Sequence, residues 1–214
     1  MVENHPDTRK QEYLGIACLV LSAFCFALMS MFVHLAGDLP SMQKSFFRNL
    51  VAALAAVVLL LRVGEPFRIR RENLPYFLMR SIFGTMGVLC NFYAVDHLVL
   101  ADASILNKMS PFFTVLFSWL ILKEKVMPIQ LSLIFGAFLG SIFVVKPTFS
   151  NLALVPSLLG FFGGICAGAA YTMVRKLGEA GEKGPVIVLF FSVFSCVVVL
   201  PWLIFDYHPM TWQQ

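Results

Sequence analysis

Charge is scarce in this chain. Only 13% of its 214 residues are Asp, Glu, Lys or Arg, against roughly 25% in an ordinary soluble domain. Hydrophobic residues make up 59%, and 22 residues are phenylalanine. Mean hydropathy is +0.82. A soluble surface cannot hide that many apolar rings, so a water-soluble globular domain is excluded. Net charge is +4, but the basic residues do not cluster on a polar domain as nucleic-acid binding requires. No nucleic-acid partner is expected.

Chemistry-bearing motifs are missing as well. The five cysteines, Cys18, Cys25, Cys90, Cys166 and Cys196, all fall in apolar stretches without a CxxC pair. They read as small hydrophobes rather than a disulfide framework. His5, His34, His97 and His208 lack metal-ligand spacing. No motif joins Ser22, Ser41 or Ser192 to a histidine, the apolar runs hold no paired carboxylates, and no phosphate-binding glycine loop is visible. No catalytic group set, cofactor or metal is expected, so the chain does not read as an enzyme.

What is present is a series of long apolar runs. Spanning helices need about 20 residues, and seven are expected near residues 13–35, 43–61, 74–95, 99–122, 128–146, 154–177 and 185–205. Their connections are short and leave no room for a soluble domain. The first run exceeds a signal-peptide core and is read as a retained helix. Arg9, Lys10, Arg62, Arg68, Arg70, Arg71, Lys123, Lys125, Arg175, Lys176 and Lys183 fall in alternate connections, whereas the others receive only Lys44 and Lys146. Such sorting obeys the positive-inside rule. It predicts a multi-pass integral protein of the plasma (inner) membrane with a cytoplasmic N-terminus, in contact with membrane lipid. The cluster between Leu61 and Asn73 is placed against anionic headgroups. Trp202, Tyr207 and Trp212 fit an interfacial aromatic belt.

The remaining cations, Arg48, Arg80 and Lys108, fall inside spans. An intramembrane charge is costly and is a candidate site by default. Arg80 starts about 9 Å into its span and Arg48 at similar depth from the opposite side; for both, snorkelling to headgroups is the rival reading. Lys108 lies about 14 Å deep. Its helix carries Ser104, Lys108, Pro111, Val115 and Ser118 on roughly one face, with Asn107 and Thr114 beside it. Pro111 removes a backbone donor and frees the Asn107 carbonyl, opening the helix near Lys108. A structural ion pair is the alternative for Lys108. In the third span Arg80, Gly84, Gly87 and Asn91 share a face; the glycines suit packing, and Asn91 suits either a helix–helix bond or a cavity contact. Gly136 and Gly140 form a GxxxG pair, and Gly160, Gly163, Gly164, Ala167, Gly168 and Ala169 give the sixth span a small-residue character suited to close packing or sliding. Tyr171 reads as a solute contact or an interface anchor.

A weak internal echo matches Cys25, Val33 and Gly37 with Cys166, Val174 and Gly178, each 141 residues on. An odd number of spans inverts the second copy, the pattern of many secondary transporters. Ala101–Lys125, ADASILNKMSPFFTVLFSWLILKEK, with Asn91-Phe92-Tyr93-Ala94, Phe46-Phe47-Arg48 and Tyr171-x-x-x-Arg175-Lys176, resembles the drug/metabolite transporter superfamily, in particular its EamA-like multispan proteins. The resemblance implies an all-α integral membrane protein: a cytoplasmic tail over residues 1–12, a first five-helix repeat over 13–146 and part of an inverted second repeat over 154–214. Members usually have ten helices, so the sequence looks truncated, or a second chain supplies the remainder as in a homodimer. It also implies a path lined by the third and fourth helices, near Arg80, Asn91, Asn107 and Lys108.

The expected function is secondary transport of a small organic metabolite by alternating access. The cations favour an anionic or zwitterionic solute such as an amino acid or nucleotide-like compound. Candidate contacts are Lys108, Asn107, Ser104, Asn91, Arg80, Arg48 and Tyr171. A coupling proton or counter-solute is the expected companion. The alternative is a non-transporting membrane interaction or assembly protein.

Overall fold

The computed structural model describes residues 6–35, 39–64, 67–123, 127–145, 154–205 and 207–209. Every regular element among them is helical. In chain order they are α1 (Pro6–Leu35), α2 (Ser41–Val63), α3 (Leu74–His97), α4 (Leu100–Asn107), α5 (Ser110–Phe117), α6 (Pro128–Val145), α7 (Leu154–Glu179) and α8 (Gly184–Phe205). Among the described residues, five stretches are long and apolar enough to cross a bilayer: Ser41–Val63, Arg71–His97, Leu100–Leu122, Leu154–Glu179 and Gly184–Phe205. Shorter apolar segments occupy Tyr13–Met29 and Pro128–Gly140. The protein is an all-α, multi-pass integral membrane protein. Lys125, Lys146 and Trp212, used in the topology reading, lie outside the described residues.

The chain divides into two compact units, Met1–Leu39 with Met210–Gln214, and Pro40–Pro209. In the first, α1 begins at Pro6, seven residues before its expected start and inside the segment read as a tail. Proline is well suited to a first helical position, and the next residues, DTRKQE, tolerate or favour a helix.

In the second unit α3 packs chiefly on α7, and α2 on α8, while α4 and α5 lie against α7. Gly64, at φ +68°, closes α2 by donating its N–H to the carbonyls of Leu60 and Leu61, a left-handed cap that glycine adopts without steric cost. Beyond it, Asn73 donates to Glu182 Oε1 at 2.6 Å, joining the start of α3 to the α7–α8 turn. Leu60, Phe77, Leu177, Val186 and Ile187 form a sealed cluster at this same end, which also carries Arg68, Arg70 and Arg71. At the opposite end Lys44, near the start of α2, pairs with Asp96 in the last turn of α3 at 2.8 Å. Helices α2 and α3 therefore run antiparallel, as do α7 and α8.

Beside this apolar cluster, several polar side chains of the spans also turn inward while apolar neighbours face outward. On α3, Ser81 and Thr85 are buried while Leu78, Ile82 and Met86 are exposed. On α8, Ser192 and Ser195 are buried while Val193, Val197 and Ile204 are exposed. Lipid tails are as apolar as leucine, so helix association relies on close packing and hydrogen bonds. Asn49 illustrates this. It is fully buried and its Nδ2 donates to Ser45 O at 2.9 Å and to Ser195 Oγ at 2.9 Å, tying α2 to α8. Asn49→Ala is expected to lower stability by about 1–2 kcal/mol, measured as a shifted unfolding midpoint in mixed micelles. A midpoint equal to the parent's would show that this bond contributes nothing net.

The opening expected from Pro111 is present: the fourth span breaks at Lys108–Met109 between α4 and α5 and ends in a π-helical turn, Ser118–Leu122. Two other expectations are corrected. The stripe from Ser104 to Ser118 is therefore discontinuous, with Lys108 exposed and Ser118 buried. Second, the Gly136/Gly140 pair is exposed on α6, and a Cβ at either position meets nothing within 4 Å. It makes no close helix contact among the described residues.

Candidate solute site between three helices

The cation with the most informative geometry is Arg80. Its Cα lies six residues inside α3, close enough to the basic end for its side chain to snorkel there. It does the reverse. A Cβ built on Gly84 would overlap Arg80 Nη1, so the guanidinium folds one turn deeper along its own helix. Gly84 is ten residues past Leu74, or about 15 Å into the span, near the middle of a hydrocarbon core about 30 Å thick. There Cζ sits 4.2 Å from the centroid of the Phe191 ring on α8. Arg80 Nε is buried with no hydrogen-bond partner among the described residues. Gly84 thus provides room for a side chain, beyond a plain packing role.

Arg48 on α2 and Tyr171 on α7 complete the group. Arg48 is half-buried, and its Nη1 approaches Asn49 Oδ1 at 3.4 Å. Arg48 and Arg80 repel one another electrostatically, and the Tyr171 side chain lies within electrostatic range of both. Arg48 starts about 10 Å inside the end of α2 that carries Lys44, whereas Tyr171, like Arg80, starts from the basic end, about 12 Å inside α7. Tyr171 is half-exposed and eight residues short of the end of α7.

The other candidates are placed differently. Asn91 is half-buried on α3, where a Cβ on Gly163 would lie 3.4 Å from its backbone nitrogen; the two helices are close there. Ser104 is half-buried on α4. Asn107 and Lys108 are exposed at the α4–α5 break, which turns Leu106 and Met109 toward α7 instead. A Cβ on Gly164 would lie 2.9 Å from Leu106 O and 3.6 Å from Met109 Cβ. The glycines of α7 are therefore the floor on which the broken helix rests. Pro111, in the first turn of α5, is the sequence signal for that break.

Sequence reasoning missed Phe191, Ser195 and the Lys44–Asp96 pair. A serine pair three residues apart in α8, 192 and 195, was a visible hint of a polar face. Nothing local signals that Phe191 would meet Arg80. Among the described residues no group of three or more His, Cys, Asp or Glu is placed to hold a metal ion.

Comparisons with known proteins bear on this arrangement. The model of the EamA-like transporter family matches residues 13–146. A pseudopaline exporter of Pseudomonas aeruginosa is 32% identical over 201 residues, covering 94% of this chain and 67% of the exporter. Solute carrier family 35 member G1 of Homo sapiens is 28% identical, covering 87% of this chain and 53% of the carrier. A riboflavin transporter of Brucella anthropi is 28% identical, covering 86% and 63%. The chain spans between about half and two thirds of the length of these relatives.

Proposed function

We propose that this chain, which belongs to the EamA-like transporter family, carries a small organic solute across the membrane by alternating access. The observation that carries the reading is the direction of Arg80. A guanidinium that passes over the nearer water for a site about 15 Å inside a helix loses hydration, and such a placement is unfavourable unless the site has a use for the charge. With Arg48 on a second helix, the site favours an anionic or zwitterionic solute. Tyr171 supplies a phenol beside the cations. The named cargoes of the relatives, pseudopaline and riboflavin, are small organic molecules and support this size class. Asn91, Ser104, Asn107 and Lys108 belong to the path on either side of the cationic group, with the α4–α5 break as the hinge.

The basic end of the Pro40–Pro209 unit faces the cytoplasm on this reading, as its arginines require, and the membrane is the plasma membrane. A proton or counter-solute drives the cycle. The five-helix repeat of residues 13–146 and the inverted part of 154–214 supply the two halves that rock.

The test is flux in proteoliposomes, with a mixed metabolite pool read by mass spectrometry and with imposed pH or counter-solute gradients. The parent is expected to move one or more anionic or zwitterionic solutes. Arg80→Gln is expected to lower that flux at least about tenfold, equivalent to about 1.4 kcal/mol or more of lost stabilisation, while remaining folded. Lys108→Ala is assayed alongside. Undiminished flux in folded Arg80→Gln removes Arg80 from the path. No flux of any solute by the parent defeats the transport reading.

A further inference from the structure

We infer that Gly84 and Phe191 form a slot that holds the Arg80 guanidinium when no solute is bound, and that Phe191 thereby sets how strongly an anion must attract Arg80 to be accepted. The inference rests on the anionic-solute reading above and names a specificity-determining pair within that site.

Three features define the slot. The absence of a Cβ at Gly84 leaves the space in which Arg80 Nη1 lies. Phe191, buried to 6% exposure, offers its ring face 4.2 Å from Cζ. Arg80 Nε remains without a hydrogen-bond partner among the described residues. A ring face attracts a cation through its quadrupole, more so when the pair is desolvated, but it satisfies no N–H. The held state is therefore incomplete: it accommodates the charge and leaves a donor unpaired.

An oxyanion supplies what the ring lacks. Carboxylate and phosphate oxygens accept charge-assisted hydrogen bonds from a guanidinium, often two at once. Such a group satisfies Arg80 Nε and screens the repulsion between Arg80 and Arg48. An uncharged solute offers no comparable exchange and leaves Arg80 on the ring. Cation–π attraction and anion binding compete for one side chain. The apparent affinity is then the intrinsic affinity reduced by the fraction of protein whose Arg80 is out of the slot.

Both walls can be altered. Phe191→Leu keeps an apolar side chain of similar bulk and removes the ring face. Gly84→Ala fills the slot. The nearest atoms to the new Cβ are the mobile end of Arg80 and then Phe191 Cε2 at 2.8 Å, so the flexible guanidinium yields first. Both variants are expected to bind an oxyanion more tightly, by roughly 3- to 30-fold.

The experiment uses the protein in nanodiscs, titrated with succinate, inorganic phosphate and, as the uncharged control, succinamide. Binding is read by calorimetry. The Nε–H resonance of Arg80, identified by its loss in Arg80→Lys, reports ring-current shift from Phe191. In the parent, succinate or phosphate is expected to move that resonance away from its ring-shifted position, and succinamide is not. Response to succinate alone assigns a carboxylate-bearing solute, and response to phosphate alone a phosphate-bearing one. Tighter binding in both variants supports the slot. Parent binding that is lost in Arg80→Gln but unchanged or weaker in folded Phe191→Leu and Gly84→Ala overturns the slot and leaves the anion site standing. No binding of either anion by the parent overturns both.

Discussion

Gly168→Ala is expected to destabilise the protein by about 3 kcal/mol, the upper part of the range for overpacking a tight contact, and to cut the yield of folded protein sharply. A Cβ at Gly168 would lie 2.5 Å from Phe113 Cβ, 2.9 Å from Thr114 N and 3.0 Å from Phe113 C. Two of those three atoms are backbone, so no rotamer change clears the overlap. The helices must part, and parting them strains the bonds that join them. Thr172 Oγ1 donates to Gly168 O at 3.0 Å and to Thr114 O at 3.3 Å. Thr114 Oγ1 donates to Ser110 O at 2.9 Å and approaches Gly168 O at 3.5 Å. These contacts fix α5 against α7 just beyond the break at Lys108. Gly178, on the same helix, is the control: it is exposed and a Cβ there meets nothing within 4 Å. Gly178→Ala is expected to be neutral or stabilising by up to about 1 kcal/mol, since alanine is the better helix former. Unfolding midpoints in mixed micelles and yields of membrane-inserted protein read both. A Gly168→Ala midpoint matching that of Gly178→Ala would show that α5 and α7 are not held as closely as their contacts imply.

The helical spans were legible because a membrane helix needs a sustained apolar run, and nothing else in this composition produces one. The break in the fourth span was legible too, since Pro111 lacks the N–H that would continue the ladder. The consequence of the break was not. Sequence spacing treats 104, 108, 111, 115 and 118 as one face, but two non-helical residues rotate α5 relative to α4. Lys108 consequently stands at an exposed corner while Leu106 and Met109 turn toward α7. The Gly136/Gly140 spacing suggested a packing motif, and small residues at that spacing permit contact without compelling it. Gly160, Gly164 and Gly168 are used against the broken helix, and Gly163 against α3, because those facing atoms come within reach.

For the site, depth alone identified Arg48 and Arg80 as unusual. It left snorkelling open, because the direction of a long side chain depends on what stands beside it. Gly84, one turn along from Arg80, was a local hint of space. Phe191 is more than a hundred residues away in the chain, and only the packing of α3 on α8 brings its ring to the guanidinium. Tyr171 lies near its span's end, where a phenol serves equally as solute contact or interfacial anchor, and only the fold puts it within electrostatic range of both cations.

Asp96→Asn is expected to weaken the fastening at the end opposite the basic one by about 1–3 kcal/mol, between the cost of breaking an exposed ion pair and that of breaking a buried one, since the Asp96 side chain is 21% exposed. The Lys44 side chain is only 3% exposed, and its Nζ lies 2.8 Å from Asp96 Oδ1. Ser41 Oγ also donates to the second carboxylate oxygen. Asparagine keeps the shape of this contact and removes the charge that balances the lysine. Next to it, Gln43 holds the chain beyond α8 through a paired contact, donating to His208 O at 2.9 Å and accepting from His208 N at 3.1 Å. The start of α2, the end of α3 and the segment after α8 are thus fastened together. In an alternating-access cycle this fastening must release when the solute passes, so the cost of Asp96→Asn falls on one conformer and moves the population toward the other. Ser45, one residue past Lys44 and fully buried, gives the readout. In a background lacking the native cysteines, Ser45→Cys labelling by a membrane-impermeant thiol reagent is expected to rise roughly 10-fold with Asp96→Asn. Lys44→Met together with Asp96→Asn removes both charges and is expected to return most of the protection, because neutral groups of similar size leave no unbalanced charge on the buried lysine side. Unchanged labelling in Asp96→Asn would mean that the pair does not hold this end shut. Equal labelling in the single and double variants would assign the effect to lost shape or hydrogen bonding, with the charge playing no part.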